Sequence, residues 1–97
     1  LVDDIIATGS SLMEATEELK KRGAHDVYAA VSHGVLSGNA LQKIQDSKSL
    51  KEVVITNSIP LPDPEKNTKI KVLSIASLLA EAIKRIHEEK SISCLFF

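Results

Sequence analysis

The chain has 97 residues, a hydrophobic content of 43% and a formal net charge of −1, which allows one domain but is small for a complete α/β enzyme. The near-neutral charge gives no reason to expect binding to nucleic acid or to a membrane. No apolar run could span a bilayer, no signal peptide is present, and the single cysteine, Cys94, suits a reducing compartment. We therefore expect a soluble cytoplasmic protein. The chain lacks an initiating Met and starts inside an apolar run, so we also expect an upstream part that is absent here.

The pattern of the first twelve residues predicts a strand that carries two acids and ends in a turn of small residues. Asp3 and Asp4 lie inside an apolar run that breaks at residues 7–11, as in a buried strand that brings acids to the edge of a parallel sheet. The next helix starts with unpaired N–H groups, which favour a phosphate. Carboxylates beside such a cradle accept bonds from sugar hydroxyls or hold Mg²⁺. A plain turn with an N-cap and solvated acids is the alternative.

A helical pattern runs from Ser11 to about Arg22. Ser11 and Glu14 have the spacing of a capping box, and Gly23 follows a basic stretch, which is typical of a helix C-terminus. Ser11 therefore has two compatible roles, as helix cap and as phosphate ligand.

The second predicted strand, residues 27–31, is almost continuously apolar, which indicates a right-handed βαβ crossover in a parallel sheet. It leads into Ser32, His33 and Gly34 on the same side of the sheet as the first turn. His33 is a candidate ligand contact. A structural role in bonding to the backbone is favoured, because one histidine without a partner does not define a general base.

The second half of the chain continues the alternation of helices and strands. The pattern predicts a short helix at about 40–46 capped by Ser37 or Asn39, a strand at 52–56, a proline-marked loop from Pro60, a strand at 70–73 and an amphipathic helix at about 75–89. The tail, residues 92–97, is strongly apolar, and we expect an extended segment covered by protein. The whole chain is predicted to be one α/β domain with a parallel sheet.

Four stretches resemble one enzyme family. Residues 2–11 are similar to the phosphoribosyl pyrophosphate-binding motif shared by type I phosphoribosyltransferases and ribose-phosphate pyrophosphokinases. Residues 32–38, 53–60 and 79–87 are similar to the pyrophosphokinases specifically. The resemblance implies a doubly wound, type I phosphoribosyltransferase-like domain, with residues 1–97 forming the C-terminal portion of a two-domain protein.

The resemblance also implies which residues bind the sugar. Asp3 and Asp4 would hold the ribose hydroxyls of ribose 5-phosphate, directly or with Mg²⁺. The loop around the 5-phosphate would consist of Ala7, Thr8, Gly9, Ser10 and Ser11. The family transfers the diphosphoryl group of ATP to ribose 5-phosphate, which makes phosphoribosyl diphosphate for nucleotide biosynthesis. The ATP site and a basic loop of the family lie upstream, so residues 1–97 alone are expected to be inactive.

The chain departs from the family pattern at two places. Synthetases usually have an Asp at the position of Ala7, and a Gly-Thr pair at Ser10 and Ser11. Ser10 would put a side chain where space for phosphate or a positive φ is needed. These departures leave two alternatives open: a non-catalytic, synthetase-associated regulatory subunit, and a purine phosphoribosyltransferase, a class in which Ala occurs at this position.

The tail has a further implied role. In the enzymes that this chain resembles, the corresponding segment lies near a subunit interface of a hexamer and helps form an allosteric phosphate or nucleotide site. We therefore expect a homo-oligomer in which Ser91 and Ser93 lie beside a regulatory anion site. The alternative is a tail that completes only the core of its own subunit.

Overall fold

A computed structural model describes residues 1–96, in which helices alternate with parallel strands. The elements are β1 (Val2–Ile6), α1 (Ser10–Lys21), β2 (Val27–Gly34), α2 (Ala40–Asp46), β3 (Leu50–Thr56), β4 (Ile70–Leu73) and α3 (Ala76–His87), with 3₁₀ turns at Pro64–Lys66 and Ser93–Leu95. The strands form one parallel sheet in the order β1-β2-β3-β4. The predicted α/β class and parallel sheet are confirmed.

Within the described residues, the strands follow one another across the sheet in chain order. Each strand lies beside its predecessor, so right-handed crossovers place α1 and α2 on the same face. The core between this face and the helices consists of Ile6, Val27, Ala29, Val31, Leu36, Ala40, Ile44, Leu50, Val53, Ile55 and Ile70. A doubly wound sheet requires strands beyond the free edge of β1. The doubly wound, type I phosphoribosyltransferase-like arrangement therefore stays a prediction.

The strands β2 and β3 are longer than predicted. In β2, buried and exposed residues alternate from Val27 to Val31, and then Ser32 and His33 are both exposed before the buried Gly34. This change of phase turns Gly34 toward the core, where a Cβ atom would lie 2.9 Å from Cδ1 of Ile55. Glycine at this position lets the end of β2 pack closely on β3.

The capping prediction for Ser11 is wrong. The helix α1 begins one residue earlier, at Ser10, and its N-cap is Gly9 in the left-handed conformation with φ of 83°. Within residues 1–96, no side chain makes a capping hydrogen bond to this helix, and Ser11 already lies in its first turn. At the other end, the predicted stop at Gly23 is confirmed, since Gly23 has φ of 100° and its N–H donates to the Lys20 carbonyl at 3.0 Å.

The short helix α2 has the predicted bounds but not the predicted cap. Asn39 occupies the N-cap position, and no side chain makes a capping hydrogen bond there. Ser37 contributes through its backbone instead, because its carbonyl accepts from the N–H of Ala40 at 3.2 Å.

The helix α3 and the tail leave apolar side chains in solvent. α3 contains no buried residue, and Ile83 and Ile86 are 67% and 64% exposed. The tail forms a 3₁₀ turn at Ser93–Leu95 rather than the predicted extended segment, because backbone bonds close on themselves there. Ile92 and Phe96 are 38% and 61% exposed, so the expected covering by protein is not found within residues 1–96. Phe97, also part of the predicted tail, lies outside the described residues.

None of the helices in the described part of the chain has the length and apolar content needed to cross a membrane.

Candidate functional site

The turn between β1 and α1 presents the unpaired start of a helix at the carboxyl end of a strand. Met13 makes the first bond within the helix, donating its N–H to the Gly9 carbonyl at 3.0 Å. The preceding N–H groups of Ser10, Ser11 and Leu12 therefore have no acceptor inside the helix. Thr8, Ser10 and Ser11 are exposed. We call residues 7–11 the phosphate loop, because a helix start of this kind attracts anions.

A lysine from α2 contacts the phosphate loop. Nζ of Lys43 donates to the Thr8 carbonyl oxygen at 3.3 Å and to Oγ of Ser10 at 3.3 Å. The Thr8 hydroxyl also donates to Oγ of Ser10 at 3.3 Å. Lys43 is not among the site residues predicted from the sequence. A basic residue one helical turn after the small Ala40 is a weak signal, and nothing local indicates which loop it reaches.

The predicted acids lie within β1, before the strand ends. Asp3 and Asp4 are both exposed, and neither forms an ion pair with another residue in the range 1–96. The backbone N–H of Asp4 donates to Oδ1 of Asp3 at 2.8 Å. These two neighbouring carboxylates have no positive partner among residues 1–96, so their oxygens are free to accept hydrogen bonds from a hydroxyl or to bind a cation.

One of the two acids shares a cavity with the phosphate loop. The cavity has a volume of about 240 Å³, and its polar rim contains Asp3, Thr8, Ser10 and Ser11, whereas Asp4 does not line it. The rest of the lining is apolar, with Leu1, Val2, Ile5, Ile6, Leu12, Ala15, Ala29 and Val31 among its residues. The polar rim suits a sugar phosphate. The apolar part lies between α1 and the strands β1 and β2.

The two acids of β1 are oxygen donors of the kind that Mg²⁺ takes. Residues 1–96 contain no group of three or more His, Cys, Asp or Glu side chains placed to hold a metal. Asp3 and Asp4 supply carboxylate oxygens, and Mg²⁺ usually takes one or two protein carboxylates together with substrate oxygens and water.

His33 bonds a side chain on the neighbouring strand end rather than the backbone that we predicted. Its Nδ1 lies 2.7 Å from Oγ of Ser58, and the Ser58 hydroxyl is placed to donate to the Ser32 carbonyl at 3.3 Å. The Thr56 hydroxyl donates to the same carbonyl at 2.6 Å. These bonds link the carboxyl ends of β2 and β3, which supports the structural role favoured for His33.

The two tail serines come together beside an arginine of α3. The hydroxyl oxygens of Ser91 and Ser93 are 2.6 Å apart, and Nη1 of Arg85 donates to the Ser91 carbonyl at 3.3 Å. Nε of Arg85 also pairs with Oε1 of Glu81 at 3.0 Å, one helical turn earlier on α3.

Known proteins similar to this chain include ribose-phosphate pyrophosphokinases and a phosphoribosylpyrophosphate synthetase. The ribose-phosphate pyrophosphokinase of Caldanaerobacter subterraneus subsp. tengcongensis is 54% identical over 96 residues, which cover 99% of this chain and 30% of that protein. The enzyme of the same name from Bacillus subtilis is 49% identical, with the same coverage of both. The crystal structure of phosphoribosylpyrophosphate synthetase from Mycobacterium smegmatis matches with a TM-score of 0.85 and 39% identity, over 92% of this chain and 30% of that one.

The chain therefore spans about 30% of the length of these relatives. The matches give the share of the length and not its position, so the C-terminal placement stays a prediction. The predicted resemblance to ribose-phosphate pyrophosphokinases is confirmed by these relatives. A family model for the phosphoribosyl synthetase-associated domain matches residues 1–97, and the chain belongs to this family.

Proposed function

We propose that this chain is the ribose 5-phosphate-binding portion of a ribose-phosphate pyrophosphokinase, an enzyme that transfers diphosphate from ATP to ribose 5-phosphate. One observation carries the proposal. The unpaired start of α1 and the carboxylate of Asp3 border the same cavity, in a chain about half identical to enzymes of that name.

The phosphate loop would hold the 5-phosphate through its backbone. The N–H groups of Ser10, Ser11 and Leu12 would donate to phosphate oxygens, and the dipole of α1 would favour the negative charge. Asp3 and Asp4 would accept hydrogen bonds from the ribose hydroxyls or hold Mg²⁺ together with them.

The chemistry of the proposed reaction depends mainly on position and charge. Diphosphoryl transfer requires an oriented acceptor hydroxyl and neutralisation of phosphate charge, which Mg²⁺ supplies when it is bound. The residues of this chain would bind and orient the acceptor sugar. Groups that bind ATP would come from the rest of a longer protein, so we expect residues 1–97 alone to be inactive.

The two departures from the family pattern affect this proposal differently. Ser10 is helical rather than left-handed, because the positive φ belongs to Gly9, and its hydroxyl is held by Thr8 and Lys43. No positive φ is therefore required of Ser10. Ala7 brings no carboxylate, and its carbonyl oxygen accepts from the Ser37 N–H at 2.9 Å.

The second candidate is a non-catalytic subunit associated with the synthetase. Ala7 favours it, and so does the description of the matching family as a synthetase-associated domain. Such a subunit would keep the phosphate loop and bind ribose 5-phosphate without turning it over.

We further propose that the complete protein is a cytoplasmic homo-oligomer, a hexamer by resemblance, with a second anion site in the tail. The contact between Ser91 and Ser93, with Arg85 bonded to the same turn, supports this site. A phosphate or nucleotide bound there would regulate the enzyme at a subunit interface.

The experiment is a double substitution in the complete protein. Asp3→Asn together with Asp4→Asn should abolish the binding of ribose 5-phosphate in calorimetry, because the sugar and its metal lose both carboxylates. The melting temperature should stay unchanged or rise slightly, since two unpaired neighbouring charges are removed. Asp26→Asn, just before the opposite end of β2, is the control and should bind normally.

Unaltered binding in the double variant would overturn the assignment. If the wild-type protein binds ribose 5-phosphate, an assay of its phosphoribosyl diphosphate production separates the two candidates. Product formation supports the enzyme, whereas binding without product supports the associated subunit.

A further inference from the structure

The helix α2 contacts the phosphate loop at two neighbouring positions. A Cβ atom on Gly9 would lie 3.5 Å from Cβ of Ala40, so this helix packs directly on the loop. One turn later, the half-buried Lys43 places its ammonium 3.3 Å from both the Thr8 carbonyl oxygen and Oγ of Ser10. The helix thus brings a full positive charge to a loop whose own N–H groups carry only partial charge.

The hydrogen bonds around Ser10 leave donors free for an anion. Oγ of Ser10 accepts from the Thr8 hydroxyl and from the ammonium of Lys43, which uses both of its lone pairs. Its own proton is therefore left to donate. The ammonium has three protons, and the two contacts with the loop use two of them. One proton of Lys43 and one of Ser10 remain for a ligand.

The helix start alone does not balance the negative charge that a bound phosphate and the two nearby acids bring, so a bound phosphate needs a positively charged partner. A phosphate monoester carries about −1.5 to −2 at neutral pH, whereas a helix start supplies the equivalent of only about half a positive charge. Asp3 and Asp4 add negative charge at the same edge of the sheet. Lys43 forms no ion pair with any acid of residues 1–96, so its charge is not neutralised before the ligand arrives.

We propose that Lys43 is a phosphate-binding residue of this site, which holds the loop through Thr8 and Ser10 and pairs its ammonium with the 5-phosphate. The proposal rests on the proposed function, because it takes ribose 5-phosphate as the ligand. It adds a residue that lies outside the binding motif and on a different helix.

The test separates charge from hydrogen bonding. In the complete protein, Lys43→Gln keeps a donor able to bond the loop but removes the charge, and Lys43→Arg keeps the charge. Lys48→Met, at an exposed lysine just after α2, is the control. Calorimetry measures the dissociation constants of ribose 5-phosphate and of ribose at two salt concentrations.

We expect Lys43→Gln to weaken the binding of ribose 5-phosphate by about tenfold or more, because a charge-assisted hydrogen bond to the phosphate is lost. Its affinity for ribose, which lacks the phosphate, should not change. Lys43→Arg should restore most of the affinity, because a guanidinium also pairs with phosphate. Salt should weaken ribose 5-phosphate binding more in the wild type than in Lys43→Gln.

The outcomes distinguish this inference from the proposed function. Wild-type protein that binds no ribose 5-phosphate overturns both. Wild-type binding with unchanged affinity in Lys43→Gln overturns the role of Lys43 alone. Equal losses for ribose and ribose 5-phosphate, or no rescue by Lys43→Arg, would show that Lys43 only supports the loop.

Discussion

At the scale of single residues, the phosphate loop depends on a backbone conformation that glycine allows. Gly9 has φ of 83°, and a Cβ atom there would meet Ala40 only at ordinary contact distance, 3.5 Å. Space is therefore not what excludes other residues. The left-handed conformation itself is unfavourable for a residue with a side chain. Gly23, at the other end of α1, is left-handed too and has nothing within 4 Å of a Cβ position.

The two glycines give a matched pair of variants. Gly9→Ala and Gly23→Ala should each lower the free energy of unfolding by about 1–2 kcal/mol, because both force alanine to a positive φ. Only Gly9→Ala should also weaken the binding of ribose 5-phosphate, since it tilts the N–H groups of the loop. Urea denaturation and calorimetry measure the two effects. Equal binding by both variants would show that the loop does not hold the phosphate.

At the scale of elements, the C-terminal end of the short helix α2 is bonded by a lysine that lies just before β4. Nζ of Lys69 donates to the Ile44 carbonyl oxygen at 3.1 Å and also to the Ser47 carbonyl oxygen. These carbonyls belong to the last turn, where a helix has unpaired acceptors and a partial negative charge. Within residues 1–96, no side chain caps the other end of α2. Lys69 therefore adds side-chain bonds at one end to a helix whose Ala40 and Ile44 are buried in the core.

Removing these bonds should destabilise the protein measurably. Lys69→Met should lower the free energy of unfolding by about 1–2 kcal/mol, because the carbonyls lose a charged donor in a half-buried position. Lys71→Met is the matched control, since Lys71 is exposed on β4 and should change stability by less than about 0.5 kcal/mol. Urea denaturation of both variants measures the difference. Similar losses in the two would mean that the bonds at the end of α2 contribute little.

At the scale of the whole molecule, apolar surface is concentrated at the end of the chain and at the free edge of the sheet. The exposed large apolar side chains there include Val2, Ile5, Leu73, Leu78, Leu79, Ile83, Ile86, Ile92 and Phe96. Surface of this kind is usually covered in an assembly. The amphipathic period of α3 predicts a buried face, and the described residues supply nothing to bury it.

The tail gives the prediction at this scale. Deleting residues 91–97 from the complete protein should reduce the number of subunits in the assembly, measured as its mass by light scattering. The deletion should also abolish the response of the activity to phosphate and ADP. Ser91→Ala with Ser93→Ala keeps the apolar side chains and is the matched variant. This double variant should assemble normally and lose only the response of its activity to phosphate and ADP. Unchanged mass and response after the deletion would leave the tail as local packing.

The sequence by itself determined the local structure of this protein. The bounds of α2 and β4, the glycine stop after α1, the position of the phosphate loop and the order of strands and helices all follow from periodicity and turn residues. Such signals are local, because the side chains that set them lie within a few residues of one another. The cap of α1 does not follow from such local signals, because both Gly9 and Ser11 fit a helix start and the backbone conformation decides between them.

Only the tertiary structure decided which distant residues meet. Lys43 and Thr8 are separated by 35 positions in the sequence, and His33 and Ser58 by 25. Their contacts depend on how α2 packs on the loop and on the register of β2 with β3, which the whole core determines. The same holds for the face of α3 that is left exposed. Periodicity shows that a face is apolar, whereas the packing of the chain determines what that face touches.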